Sequence, residues 1–404
     1  MRIITDFHIH SKYSRAVSPK MNLEEIGKQG MVKGIDLIGT GDFTHPQWFS
    51  ELKEKLILDN SNFYKLKDVE NSSKFTVTGE VSLIYTKFNK TRKIHLILIC
   101  PNLDIAEKIN KRLSLEYNLS SDGRPILKLD AKEFLKIVLD ISKDILVIPA
   151  HIMTPWFGLY GSKSGFDSIE DCFEELSSYI YAFETGLSAN PAMLLLMKEC
   201  RERTLLSNSD AHSLDKLGRE ANVFETDFNY DSIIKKIKDN DLETIEFFPE
   251  EGKYFNDGHR NCGISLNSEE TYRYGGICPV CGKPLTIGVL SRVRQLSDKK
   301  EIKASFKNLV PLKEIIGEVL GVSSSSKKVS DEYQKLIEEL GSEFNILLYE
   351  DIKNIEKVNS KISLAIKKVR EGDICIIEGY DGEFGKVKIF GSNIKKEISQ
   401  KTLL

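Results

Sequence analysis

Seven histidines are spread over the 404 residues, and each falls where a metal ligand would be useful. His8 and His10 form HIH, His45 follows GDFT, His95 lies in KIHLIL, His151 in IPAHI and His212 in SDAH. The seventh, His259, opens HRNC ahead of CPVC. Carboxylates accompany the first six: Asp42, Glu80 in TVTGE, and Asp210 two residues before His212. Side chains at i and i+2 of a strand point the same way, so His8 and His10 can reach one ion, as can Asp210 and His212. Glu80 could bridge two ions. Mixed imidazole and carboxylate donors suit zinc, manganese or iron, not calcium. Paired divalent ions about 3.5–4 Å apart are a recurring means of hydrolysing phosphate esters. The expected barrel ligands are therefore His8, His10, Asp42, His45, Glu80, His95, His151, Asp210 and His212. His8, His10, Glu80, Asp210 and His212 are expected to take part in the chemistry.

A second constellation lies further on: His259-x2-Cys262, then Cys278-x2-Cys281. Two such pairs make a tetrahedral zinc site with every position filled, which is the mark of a structural ion. Gly258, Gly275, Gly276 and Gly282 offer the tight turns that such knuckles need. The other cysteines, Cys100, Cys172, Cys200 and Cys375, stand singly in apolar or helical contexts, as reduced core thiols do.

The elements that must position these residues alternate strand and helix over the first ~230 residues. RIITDFHIH reads as a strand, and Asn22 caps a helix that stops at Gly34. IDLIGT, a hairpin within KFTVTGEVSLIYTKF, KIHLILICP, DILVIPAH, YIYAFET and TLLSNSD supply further strands. His8, His10, Glu80, His151 and Asp210 are placed at or just after strand ends. In a (β/α) barrel such ends converge on one mouth, whereas an open sheet would not gather them. A barrel is therefore expected over 1–240, a zinc ribbon over 241–297 and a mainly helical domain over 298–404. The helical region should include a helix capped by Ser330, and GYDGEFG is read as a structural turn.

The net charge of −3 leaves no global field to draw in nucleic acid, so any such contact must use local patches. Lys283, Arg292 and Arg294 follow the ribbon and could meet phosphates. Trp156, Phe157 and Tyr160 follow His151, and aromatics at a barrel mouth could stack on an extruded base. There is no leader-like start and no apolar run of ~20 residues, so a cytoplasmic protein without a membrane partner is expected.

The ligand pattern resembles the PHP (polymerase and histidinol phosphatase) family at His8, His10, Asp42, Glu80, His95, His151, Asp210 and His212. It departs at Ala16 and Phe43, where that family usually carries ligands. The resemblance implies a distorted (β/α)7 barrel with two or three divalent metals (Zn, Mn or Mg) beside the ribbon's structural Zn. DFHIHSKYSRAVS, GTGDFTHPQWF, GICPVCGKPLTIGVLSRV and GYDGEFGK resemble a DNA repair subgroup of the family. That likeness implies base flipping and incision 5′ to hypoxanthine, uracil, xanthine or an abasic site by a metal-bound hydroxide. The partner would then be DNA carrying such lesions. A sliding clamp is a further conceivable partner, which the C-terminal SQKTLL does not support. A small-molecule phosphatase and a non-enzymatic DNA-binding adaptor are the competing readings.

Overall fold

The computed structural model describes residues 1–299 and 301–391; the SQKTLL segment lies outside them. Strands β1 (Arg2–Asp6), β2 (Leu37–Gly39) and β3 (Lys74–Lys87) pair in parallel. β4 (Lys90–Cys100) runs antiparallel to β3, and β5 (Leu146–Pro149) antiparallel to β4. β6 (Ala182–Glu184) and β7 (Thr204–Leu206) form a parallel pair. Ile152 N, just past β5, donates to Glu184 O at 3.1 Å, and His10 N donates to Ala211 O at 3.0 Å. Hydrogen bonds thus link β5 to β6, and the residues after β7 to those after β1.

On its other edge β1 pairs antiparallel with β8 (Ala221–Glu225), which pairs with β9 (Glu243–Glu246). Lys307–Asn308 pairs in parallel with β9. The result is a central mixed sheet, wider than the expected barrel strands. It also takes in residues 243–246 and 307–308, beyond the boundary read at 240.

Local chemistry sets the element ends. Asn22 accepts from Glu25 N and starts the helix Leu23–Lys33, and Gly34 closes it in the left-handed conformation. The expected hairpin inside KFTVTGEVSLIYTKF is instead one continuous strand, and the chain reverses at Phe88 and Asn89, both at positive φ. Gly79 is no turn: a Cβ there would press into the Phe43 ring, so glycine permits close packing over the strand. Phe43 itself is fully buried.

The C-terminal helices are Leu312–Leu320, Lys327–Leu340, Ile352–Val358 and Ser360–Glu371. The second is capped by Ser326, not Ser330, because Ser326 accepts from Val329 N. Cys375–Ile377 and Lys386–Lys388 form a hairpin around GYDGEFG. That turn is a clasp: Asn256 N donates to Gly379 O, Gly379 N to Glu250 O, Gly382 N to Lys253 O and Arg260 N to Asp381 Oδ2. Among the described residues no helix is long and apolar enough to cross a membrane.

Candidate metal centres

His8 and His10 leave the end of β1, His151 the end of β5, and Asp210 the end of β7. Glu80 and His95 instead lie inside the long strands β3 and β4, which run past the mouth. The folded chain groups His8, His10 and Asp210 in one set and Glu80, His95 and His151 in another. Within each set the donor atoms lie within 4.8 Å of one another. Glu80 joins them: Oε2 is 3.4 Å from His8 Nε2 and 3.3 Å from His10 Nε2, while Oε1 is 2.7 Å from His95 Nδ1 and 3.3 Å from His151 Nε2. Asp210 Oδ1 is 3.1 Å from His10 Nε2.

Several of these converging atoms lack hydrogen-bond partners. His8 Nε2, His10 Nε2, Glu80 Oε1 and Asp210 Oδ1 are all buried with none. Native proteins rarely leave such atoms unsatisfied, and converging lone pairs are what a cation would satisfy. The donor set fits divalent metals on that ground. Burial works against charge on His8, but Glu184, Glu80 and Asp210 outweigh it and raise its pKa well above the usual imidazole range. For His10 the same contest is won by Asp42, Asp210 and Glu80. Burial opposes the Asp210 charge too, but His8 and His10 hold its carboxyl below the usual range. Burial brings His95 down to about 4, leaving a neutral imidazole.

Two carboxylates orient the rings from behind. Glu184, at the end of β6, accepts from His8 Nδ1 at 3.0 Å, from His151 N at 2.8 Å and from Asn208 Nδ2 at 2.9 Å. Asp42 accepts from His10 Nδ1 at 2.9 Å and from Ser11 N, Ser11 Oγ and Ser14 Oγ. Such partners hold the ring and its tautomer so that Nε2 faces the ion. Asp42, His151 and Asp210 all sit at positive φ, a costly backbone state that concentrates at functional sites.

The remaining sequence candidates divide. His45 lies outside both sets: its Nε2 donates to Ser120 O and its ring stacks on Tyr13. His212 stands at the rim, its ring centroid 4.7 Å from that of His10 and its side chain 35% exposed. Trp156 is 40% exposed, and the Phe157 ring lies 4.3 Å from that of His95. Tyr160 cannot stack on a base as it stands, because it is fully buried with its hydroxyl on Glu199. Arg292 is spent on Tyr160 O, Phe166 O and Asp167, and so braces the aromatic loop from inside. Arg294 donates to Ser268 Oγ, while Lys283 is exposed. Sequence reasoning missed Glu184 and Arg124. An acid ending an apolar strand was the available signal for Glu184. SSDGRP read only as a turn, although Arg124 Nη1 reaches Glu80 Oε2 at 3.0 Å.

The second centre is separate. His259, Cys262, Cys278 and Cys281 present donor atoms within 4.8 Å of one another. Gly263 and Gly282 turn the knuckles at φ 64° and 71°. Three thiols and one imidazole in one compact set suit tetrahedral zinc with no open position.

A mixed α/β chain with one buried histidine–carboxylate centre and one His/Cys3 centre defines the class. Residues 311–373 match the family model of the MJ0043 C-terminal domain. The chain is similar to the lesion-specific endonuclease PfuEndoQ from Pyrococcus furiosus, at 31% identity and TM-score 0.85 over 99% of both chains. It is equally similar, at 31% identity and TM-score 0.84, to an endonuclease Q solved with a 27-mer duplex bearing an abasic lesion at the active site; 98% of this chain and 99% of that one are covered. YqxK of Bacillus subtilis is 30% identical over 96% of this chain and 99% of its own length. MJ0043 of Methanocaldococcus jannaschii is 36% identical over 58% of this chain, a match that spans only 31% of that protein. The chain belongs to the endonuclease Q family.

Proposed function

We propose that this chain is a metal-dependent DNA repair endonuclease that cuts the phosphodiester bond 5′ to a deaminated base or an abasic site. The observation that carries the reading is the buried double ligand set joined by Glu80, in a chain matched end to end by a lesion-specific endonuclease. The strands β1 to β7 are read as the distorted (β/α)7 PHP barrel, and the His/Cys3 knot as a structural zinc ribbon.

His8, His10, Glu80 and Asp210 would hold one divalent ion; Glu80, His95 and His151 would hold a second. Bound there, such ions acidify a water and neutralise charge on the scissile phosphate. Glu184 and Asp42 keep the His8 and His10 rings aimed. His212, at the rim, contacts the phosphate. Trp156 and Phe157 flank an extruded nucleotide, and their loop, braced by Arg292, limits water around it. Damaged or mispaired bases cost less to extrude, which supplies part of the selectivity. Water attack opposite the 3′ oxygen leaves 3′-hydroxyl and 5′-phosphate ends.

The test is end-labelled duplex DNA with one deoxyinosine, deoxyuridine or abasic site, incubated with the protein and Mg²⁺, Mn²⁺ or Zn²⁺. One cut 5′ to the lesion is expected. No cut under any of these conditions, with hydrolysis of a chromogenic phosphate monoester instead, would overturn the reading in favour of a small-molecule phosphatase.

A further inference from the structure

Among the described residues, Arg124 is the one lysine or arginine ion-paired to the barrel centre, and the known ligand chemistry leaves it without a task. Its Nη1 donates to Glu80 Oε2, the same oxygen that faces His8 and His10. A guanidinium carries five N–H donors, and a single carboxylate uses only part of them. Glu80 is its only ion-pair partner among the described residues, and its side chain is 29% exposed. It therefore has unspent donors and a solvent-facing edge beside the ligand cluster.

The loop that carries it is pinned to the same face. Gly123 N donates to Tyr13 O at 3.1 Å, Thr44 Oγ1 to Gly123 O at 3.1 Å and Arg124 N to Asp122 Oδ1 at 3.2 Å. Ser82 N donates to Pro125 O at 3.0 Å, which joins the loop to β3. Gly123 admits no side chain, since a Cβ would collide with Asp42 and Ser14. His45 holds the other end of the loop through Ser120 O. Thus two residues first read as ligands, Asp42 and His45, also fix the position of the arginine.

Charge counting says what such an arginine needs. Two divalent ions would balance the carboxylates of Glu80, Asp210, Asp42 and Glu184. Arg124 is then one positive charge in excess in a largely buried site, where an unbalanced charge is costly. A bridging anion with a single negative charge removes the excess, and a phosphodiester is such an anion. Arginine is suited to it, because its planar fork can bind two phosphate oxygens at once. We propose that Arg124 is a catalytic residue that grips the non-bridging oxygens of the scissile phosphodiester and stabilises the charge that builds on them during attack. The proposal rests on the nuclease reading above, which makes the diester the ligand.

The test compares abasic-site duplexes with a natural or an uncharged methylphosphonate linkage 5′ to the lesion, with metal-loaded wild type, Arg124→Ala and Arg124→Lys. Binding is read by fluorescence anisotropy and metal content by elemental analysis. The wild type should bind the methylphosphonate duplex about tenfold more weakly, as loss of one charge-assisted hydrogen bond would give. Arg124→Ala should discriminate clearly less than the wild type, the bound ions keeping the remainder, Arg124→Lys should recover part of the difference, and metal content should not change. Full discrimination by Arg124→Ala would overturn the proposal. So would loss of metal with discrimination, which would make Arg124 a support for Glu80 only, and so would a wild type indifferent to the linkage. Lesion-dependent cutting by the wild type, measured separately, decides the nuclease reading, so the two can fail independently.

Discussion

The two candidate metal centres gather their donors in different ways: pairs two residues apart in one, pairs three apart in the other. At the His/Cys3 centre, four donors close on one point, Cys281 is exposed, and glycines at positive φ make the turns. Little apolar core stands behind it: Tyr272 and Val280 are 88% and 66% exposed. At the histidine–carboxylate centre, the donors are buried at strand ends and along two long strands, Glu80 is shared, and carboxylates aim the histidines from behind. A centre whose four ligands are all used can hold a small fold together. A centre with shared oxygen ligands, costly backbone at Asp42, His151 and Asp210, and an arginine with donors to spare is arranged for a substrate.

The contrast can be broken most sharply at Asp210. Asp210→Ala should lower the single-turnover cutting rate by at least about a thousandfold, because ligands that act as a unit fail together. Its circular dichroism should be unchanged; a collapsed fold would mean that the barrel centre is structural after all. Cys278→Ser should do the reverse. It should release bound zinc and open residues around 257–288 to limited proteolysis while the barrel stays resistant, because a small knot without its ion lacks a core. Equal protease resistance in the variant would show that the ribbon does not depend on metal.

Glu184→Gln sharpens the comparison at a smaller scale. It keeps the shape but removes the charge behind His8, and should weaken barrel metal affinity by roughly 10–100-fold. Competition with a chelator dye measures this, and an unchanged affinity would remove Glu184 from the support of the site.

The smallest effect concerns pH. Burial pushes the Glu246 carboxyl up to about 7, against an ordinary value of 4.5. The folded chain keeps this proton up to about pH 7, whereas the unfolded chain releases it above about 4.5. Stability from this group is therefore full below pH 4.5 and is lost as pH rises towards 7. Glu246→Gln should flatten that slope in urea titrations at pH 5 and 8. The same slope in the variant would assign it to other groups.

Much of the site could be read along the chain. HIH, AH and DAH follow short apolar strands, and strand geometry alone puts i and i+2 on one side. The ribbon was legible for a simpler reason, since its ligand pairs are close in sequence and soft donors at that spacing have few other uses. Glu80 was found by type but misplaced at a strand end, because nothing local tells how far a strand runs on. The hairpin expected within KFTVTGEVSLIYTKF is one strand, and only the Phe43 ring packed over Gly79 reveals the reason for glycine there. Arg292 and Tyr160 looked available for DNA, yet both are used inside the molecule.

By itself, then, the sequence determined the donor types, the strand-end positions and the existence of two distinct centres, because residue type and local periodicity carry that information. Tertiary structure alone decided which carboxylates stand behind the donors and where Arg124 reaches. Glu184 meets His8 across 176 residues, and Arg124 meets Glu80 across 44. Such pairings depend on how strands pack around a common mouth, and no local pattern in the chain encodes a distance between elements.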